Sequence, residues 1–182
     1  NNLRLKLYLD NRPVSTELES FITNLAALTD KLTVSVVDRN DAENKAPCLR
    51  VFLEDGTDTG IAFHGVPSGH EFTSFMLGLY NAAGPGQKTD EQTYQEIKDI
   101  KASVDIKILV TLSCTMCPDL VIACQRIATL NPNIRAEGYD IQHFEELKKQ
   151  YNVMSVPCLV INDDKVSFGK KNINQILDLI KH

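Results

Sequence analysis

The pattern of hydrophobic and polar positions predicts alternating strands and helices, and it is clearest in the second half of the chain. Runs rich in β-branched residues, such as IKILVTL at 106–112, predict strands, while apolar residues at helical spacing predict helices. In chain order the pattern predicts strand 106–112, a helix carrying Leu120, Ile127 and Leu130, strand 134–139, helix 143–151, strands 158–161 and 165–168, and helix 172–180. This β-α-β-α-β-β-α order contains a parallel β-α-β unit.

The first half repeats this order with one helix missing. Its predicted elements are strand 3–9, helix 16–28, strand 32–37, strands 48–53 and 61–64, and helix 71–81. The segment 39–46 (RNDAENKA) lies where the missing helix belongs, and its almost complete lack of an apolar face predicts a loop or a single turn. Pro47 and Pro157 both enter the third strand of their half, so they mark corresponding positions.

A break between the halves suggests how the domains are organised. Residues 82–87 (AAGPGQ) are hinge-like, and Thr89-Asp90-Glu91-Gln92 fits a capping box that starts a short connecting helix ending near Ile100. We therefore predict an α/β protein of two fused folds in one compact module: residues 1–85, a linker with a short helix at 86–103, and residues 104–182. The alternative is a single α/β sheet with a kinked surface loop.

Charge and cysteine usage narrow the range of partners and compartments. The net charge of -5 leaves no basic stripe for a phosphate backbone, so neither nucleic acid nor an anionic membrane is an expected partner. No apolar run approaches the ~20 residues that a bilayer span needs. The five cysteines (48, 114, 117, 124 and 158) are too few and too scattered for a secreted disulfide scaffold. A reducing cytoplasm suits them better.

The candidate chemistry lies in SCTMCPDL, where Cys114 and Cys117 occupy positions i and i+3 between a predicted strand and a predicted helix. Cysteines at this spacing can form a disulfide on the first turn of the helix. The free N–H groups and partial positive charge at a helix N-terminus stabilise a thiolate, so we expect Cys114 to ionise well below the ~8.5 of a free cysteine. Cys114 is then the nucleophile, and the more buried Cys117 is the resolving thiol.

The other cysteines and the alternative of a zinc site are weighed against this dithiol. Zinc needs two further ligands at suitable spacing, and the sequence has neither a second CxxC nor clustered histidines. Cys124 lies about 10 Å along the helix from Cys117, too far for a disulfide, and is predicted to be core. Cys48 is predicted to pack, and Cys158, beside Pro157, is either a buried inert thiol or a redox accessory.

The sequence carries no motif for the cofactors that would recharge a dithiol. The segments GPGQKT and FGKKN resemble phosphate loops but lack the GxxxxGK[ST] or GxGxxG spacing. We therefore expect no cofactor in this chain beyond the redox-active disulfide Cys114–Cys117. Electrons must then arrive from another domain or protein.

Four stretches together resemble a known family: GVPSGHEFTSF (65–75), LSCTMCPD (112–119), LNPNI (130–134) and NVMSVP (152–157). The chain resembles the N-terminal domain of the flavoprotein subunit of bacterial alkyl hydroperoxide reductase, which consists of two fused thioredoxin-like folds. Only the second fold of that family keeps its dithiol, as here, where Asp10 to Val14 contains no cysteine. Ser113 stands where ordinary thioredoxins place an aromatic residue, which disfavours general thioredoxin substrates.

The resemblance implies a function and two further site residues. The family accepts electrons from a flavoprotein dithiol, with FAD and NADH on that partner, and reduces the disulfide of a peroxiredoxin. Pro157 would be cis and pack against the dithiol, exposing the Val156 backbone to an incoming peptide; the alternative is an ordinary trans proline. Glu71 would assist proton transfer or bias the thiol pKa, or else only complement the helix dipole.

Two other functions are compatible with the sequence. One is a stand-alone glutaredoxin-like or protein disulfide oxidoreductase, which would act on glutathione or on generic disulfides. The other is a non-catalytic redox-sensing binding module, whose disulfide only changes its shape and which would show no turnover.

Overall fold

The computed structural model describes residues 1–182 as two copies of one α/β arrangement that share a sheet. The first half comprises β1 (Leu3–Tyr8), α1 (Pro13–Ala26), β2 (Leu32–Asp38), β3 (Cys48–Leu53), β4 (Asp58–His64) and α2 (Glu71–Ala83). After α3 (Glu91–Lys98), the second half comprises β5 (Val104–Val110), α4 (Cys117–Leu130), β6 (Ile134–Asp140), a 3-10 turn (Ile141–His143), α5 (Glu145–Gln150), β7 (Cys158–Ile161), β8 (Lys165–Phe168) and α6 (Ile173–Lys181). Every predicted strand and helix is present.

The sheet has eight strands in the order β2-β1-β3-β4-β6-β5-β7-β8. In each half a parallel pair comes first (β1 with β2, β5 with β6), followed by two antiparallel additions. The halves join where β4 and β6 pair in parallel, from Ile61 opposite Ala136 to His64 opposite Tyr139. The predicted fold class of two thioredoxin-like units is thus confirmed, and the two units share one sheet, as the alternative interpretation proposed.

Helix packing also joins the two halves. The α2 and α4 helices lie side by side, and the side chain of Gln125 on α4 donates a hydrogen bond to the carbonyl of Ser74 on α2, at 2.9 Å. Gly78 permits this approach because a Cβ there would lie 2.7 Å from the Gln125 amide oxygen. No helix in the structure has both the length and the apolar character to cross a membrane.

The sheet separates three apolar clusters. One fills the first half between β1, β3, α1 and α2, with Leu5 and Leu18 fully buried. A larger one lies in the second half under α3, α4 and α6 and includes Cys117. The third covers the opposite face of the second half, where Tyr139 and Phe144 meet. The strand pattern follows from this burial, since β1 buries Leu3, Leu5 and Leu7 and turns Arg4 outward.

Two local predictions on helices are refined. Asp90, not Thr89, is the N-cap of α3, and its carboxylate accepts a hydrogen bond from the backbone N–H of Thr93 at 2.9 Å. The shorter Asp side chain reaches the orphan N–H directly. Segment 39–46 contains no helix, which confirms the predicted loop.

Candidate active site

The dithiol lies in the turn between β5 and α4. Cys114 and Cys117 form a disulfide with a Cα–Cα distance of 5.6 Å. The Cys114 backbone N–H donates to the Thr111 carbonyl at 3.2 Å, which holds the turn. The helix begins at Cys117, with Met116 at the N-cap, so Cys114 precedes the helix and does not lie on its first turn. The helix dipole and free N–H groups therefore point toward the turn that carries Cys114.

The two sulfur positions differ in burial. Cys117 is 0% exposed within the large apolar cluster, while Cys114 is only partly buried and packs against the edge of that cluster. Two exposed methionines flank the sequence of the site: Met116 is 53% exposed and Met154 is 78% exposed. Flexible thioether side chains can adapt to differently shaped partners, so this surface suits contact with another protein.

Pro157 lies at the start of β7, is buried, and follows a cis peptide bond from Val156. The Val156 side chain packs against the same apolar cluster as Cys114. The backbone N–H and carbonyl of Val156 make no hydrogen bond within the chain. Both groups are therefore free to pair with the backbone of a bound peptide, as one strand pairs with the next.

Glu71, the fourth predicted site residue, is the first residue of α2 and is completely buried. The Ser74 hydroxyl donates to one of its carboxyl oxygens at 2.5 Å, and the other oxygen has no hydrogen-bond partner. Burial raises the pKa of Glu71 to about 7; the Ser74 hydrogen bond works against this shift, and Asp140 adds to it. A buried carboxyl group with this pKa can gain or lose a proton near neutrality.

The segment before Glu71 contacts the segment before the dithiol. The His70 backbone N–H donates to the Leu112 carbonyl at 2.9 Å, two residues before Cys114. Gly69 has a positive φ of 57°, and a Cβ there would lie 2.8 Å from that same carbonyl oxygen. The start of α2 thus abuts the dithiol turn, although no hydrogen bond joins Glu71 to either cysteine. Its part in proton transfer stays a prediction.

The three remaining cysteines are free and buried. Burial raises the pKa of the Cys158 thiol to about 11 and also raises that of Cys124. A thiol must lose its proton to react, so both are poor nucleophiles at neutral pH. Their burial agrees with the predicted packing role.

A buried polar cluster at the junction of the two folds escaped the sequence analysis. Glu137 on β6 accepts from His64 on β4, at 2.7 Å, and pairs with Arg50 on β3, at 3.1 Å. The His64 ring also lies 3.8 Å from the Cys48 sulfur and stacks on Tyr139 at 3.9 Å between centroids. The partners come from distant parts of the sequence and have no motif spacing, so only the β4–β6 pairing brings them together. The structure contains no group of three or more His, Cys, Asp or Glu residues arranged to hold a metal.

Fold and dithiol together define a tandem thioredoxin-like module with the site of a thiol–disulfide oxidoreductase. A family model described as a thioredoxin domain matches residues 104–181, the half that contains the dithiol. The solved N-terminal domain of alkylhydroperoxide reductase AhpF from Enterococcus faecalis is 37% identical, with a TM-score of 0.92, and the match covers 98% of this chain and 90% of that one. The chain belongs to the family of AhpF N-terminal domains.

Further relatives agree with this assignment and set its limits. An alkyl hydroperoxide reductase of the AhpF type from Pseudomonas aeruginosa is 34% identical over 93% of this chain, and a Bacillus subtilis protein named NADH dehydrogenase is 29% identical over 97%. The chain spans about a third of the length of these curated relatives: 32% and 34%. A protein disulfide oxidoreductase from Aeropyrum pernix shares the fold, with a TM-score of 0.82, at 21% identity.

Proposed function

We propose that this module is an electron relay, which takes two electrons from the dithiol of a flavoprotein and passes them to the disulfide of a partner protein, a peroxiredoxin. The observation that carries the proposal is the pairing of a partly exposed Cys114 with a fully buried Cys117 at the start of α4. An outer and an inner sulfur give the two successive attacks of disulfide exchange different positions.

The exchange proceeds in two balanced steps. The Cys114 thiolate attacks one sulfur of the partner's disulfide, forming a mixed disulfide and releasing the partner's other sulfur as a thiolate. Cys117 then loses its proton and attacks the Cys114 sulfur, which releases the partner's second thiolate and leaves the Cys114–Cys117 disulfide. Two electrons have moved to the partner. The reverse sequence with a donor dithiol restores the reduced form.

Three other groups serve these steps in the proposal. The free backbone groups of Val156, ahead of Pro157, hold the incoming segment in extended form. Glu71, with its pKa near 7, accepts or biases the proton of Cys117 through the buried junction of the two folds. Met116 and Met154 supply adaptable apolar contact for the partner.

The names of the relatives support a donor and an acceptor outside these residues. One relative is named for the reduction of alkyl hydroperoxides and another for the oxidation of NADH, and this chain aligns with about a third of each. We therefore place FAD and NADH on a flavoprotein partner domain or protein and peroxide chemistry on the peroxiredoxin. A dithiol maintained by NADH belongs in a reducing compartment, so we propose a cytoplasmic location.

A reconstituted assay tests the relay. The chain is mixed with NADH, a flavoprotein reductase that bears its own dithiol, and a two-cysteine peroxiredoxin, and NADH oxidation is followed after peroxide is added. We expect peroxide-dependent oxidation that Cys114→Ser abolishes. The matched control is Cys48→Ser, which changes a buried cysteine of the first fold and should retain the activity.

Three outcomes would contradict the proposal. NADH consumption by the isolated chain would show that it is more than a relay. Equal rates with wild type and Cys114→Ser would remove the dithiol from the reaction and favour a redox-sensing binding module. Rapid turnover with glutathione or generic disulfides, together with inactivity toward the peroxiredoxin, would favour a stand-alone disulfide oxidoreductase.

A further inference from the structure

A cavity of about 310 Å³ lies beside α4, away from the disulfide exchange described above. Its walls are the linker at 87–89, the outer side of α4 and the loop that leads into α6. The lining residues are Gln87, Lys88, Thr89, Asp119, Ile122, Ala123, Arg126, Lys170, Lys171, Asn172 and Ile173. Four of them are cationic and one is acidic, on a chain whose net charge is -5.

Arg126 is the unusual member of this lining. It is only 8% exposed, and its guanidinium makes one hydrogen bond, from Nε to the Thr89 hydroxyl at 3.1 Å. No carboxylate lies within ion-pairing distance, and burial lowers the pKa of its guanidinium. A buried cation without a counter-charge is costly, so buried arginines are normally paired. Arg126 thus presents two unpaired nitrogens, with four N–H donors, beside the cavity.

Two lysines strengthen the positive charge. The Lys171 ammonium is half-buried and contacts only the carbonyls of Phe168 and Gly169, at 2.8 and 3.2 Å, and burial lowers its pKa. Lys88 is exposed at the rim and has no ionic partner. Lys170 is already neutralised by Asp119, at 2.8 Å. Three cations therefore remain without a counter-charge.

The start of α6 adds to this field. Asn172 caps the nine-residue helix, and the cap residue and Ile173 both line the cavity. The first N–H groups of a helix have no intrahelical partner and carry part of the positive end of its dipole. Such a terminus beside a buried arginine is a favourable place for a phosphate group.

We infer that this cavity is a binding site for a small organic phosphate, with the phosphate held by Arg126, Lys171 and Lys88 and the organic part lying against Ile122, Ala123 and Ile173. A dianionic phosphate matches three unpaired cations better than a single carboxylate does. Its oxygens also suit the planar, paired donors of a guanidinium. The volume is at the lower end of the range for small-molecule sites.

Phenyl phosphate and inorganic phosphate serve as probes, with phenol as the uncharged control. Each is titrated into the full chain at constant ionic strength, with calorimetry and backbone amide NMR as readouts. We expect saturable binding of phenyl phosphate, with shifts confined to the cavity lining. Inorganic phosphate should bind roughly tenfold more weakly because it lacks the apolar contact, and phenol should not saturate.

Charge variants decide whether the cavity is responsible. Arg126→Gln should abolish binding, and Lys171→Gln and Lys88→Gln should each weaken it roughly threefold to tenfold. Lys149→Gln makes the same charge change on the exposed surface of α5 and should leave binding unchanged. If Arg126→Gln does not fold, the two lysine variants decide.

Three results would overturn the site: titrations that do not saturate, affinity that survives in both lysine variants, or an equal loss in Lys149→Gln. Arg126 would then serve only to support the linker through Thr89.

Discussion

The two folds differ most at the turn between their first strand and first helix. In the second fold this turn carries the disulfide, and the backbone of Val156 is free. In the first fold Arg12 is the N-cap of α1, and its guanidinium donates to the carbonyl of Ala46, at 2.6 Å, and to that of His143, at 2.7 Å. Ala46 precedes Pro47 just as Val156 precedes Pro157.

The surrounding frame is the same in both folds. The carbonyls of Pro47 and Pro157 each accept a hydrogen bond at 3.0 Å, from Gly65 and Gly169. The backbone position that can receive a peptide in the second fold is therefore occupied in the first by the chain's own arginine. One fold thus supports either a reactive site or a closed structural unit, depending on which side chains occupy one turn.

The largest expected contrast between the folds is in cysteine reactivity. In the reduced protein, brief iodoacetamide treatment and peptide mapping should label Cys114 at least about a hundredfold faster than Cys48 or Cys158, which follow the two prolines and are 0% exposed. Preferential labelling of Cys117, Cys48, Cys124 or Cys158 would contradict the assignment of the nucleophile.

The junction cluster should dominate stability because it crosses from one fold to the other. Glu137→Ala leaves Arg50 and His64 buried without their carboxylate, and we expect a loss of about 3–5 kcal/mol in the free energy of unfolding. Denaturant unfolding measures it. Glu146→Ala, an exposed acid on α5, is the control and should unfold as wild type does. A loss no larger than that of the control would mean that the cluster does not stabilise the junction.

The same cluster predicts a pH dependence. Burial by itself lowers the pKa of His64, but Cys48 and Glu137 outweigh it and raise the pKa to about 9. The folded state then holds a proton that the unfolded state loses near pH 6.5, so this stabilisation is complete below about pH 6.5 and is lost as the pH rises toward 9. Glu137→Gln should flatten unfolding free energies measured across that window. An unchanged slope would contradict the ion pair.

Opening the first fold is expected to have a smaller effect. Arg12→Ala removes two hydrogen bonds that hold the Ala46 and His143 carbonyls, and since the arginine side chain is 43% exposed we expect a loss of about 1–2 kcal/mol. Thermal and denaturant unfolding test this. Arg39→Ala removes an exposed arginine paired only with Glu19, and it should cause no measurable change. Equal effects of the two variants would show that Arg12 does not hold the site closed.

The sequence predicted the parts that depend on local pattern. Strand periodicity located all eight strands, and β3, β7 and β8 agree with their predicted bounds because turns or prolines limit both ends. The dithiol was predictable because CxxC between strand and helix is itself a local motif.

Features that depend on the pairing of distant strands could not be predicted. The β4–β6 contact turns two sheets into one and creates the His64–Glu137 pair across 73 residues, and no local pattern encodes it. The position of Arg12 against Ala46 is likewise set by tertiary structure. The predicted division at residues 85 and 104 stays a prediction, since the sheet runs across it.

The smallest expected effect concerns Glu71, the one predicted site residue that the first fold contributes. Glu71→Gln should slow disulfide exchange by about tenfold, less than the hundredfold or more of an acid–base group in direct contact, because no hydrogen bond joins Glu71 to a cysteine. Stopped-flow exchange rates between pH 5 and 9 measure this. Glu91→Gln changes an exposed first-turn acid of α3 and should leave the rates unaltered.

A stability measurement separates the buried carboxyl from a simple helix-terminus charge. With its pKa raised to about 7, folded Glu71 keeps its proton where the unfolded group, near 4.5, has lost it, so wild-type stability falls as the pH rises from 4.5 to 7. Glu71→Gln should lose this slope and be more stable than wild type at pH 8. A favourable helix-dipole charge predicts the opposite, since its removal would destabilise the protein at pH 8. If exchange rates also stay unchanged across pH 5 to 9, Glu71 has no part in the mechanism, and the first fold contributes structure alone.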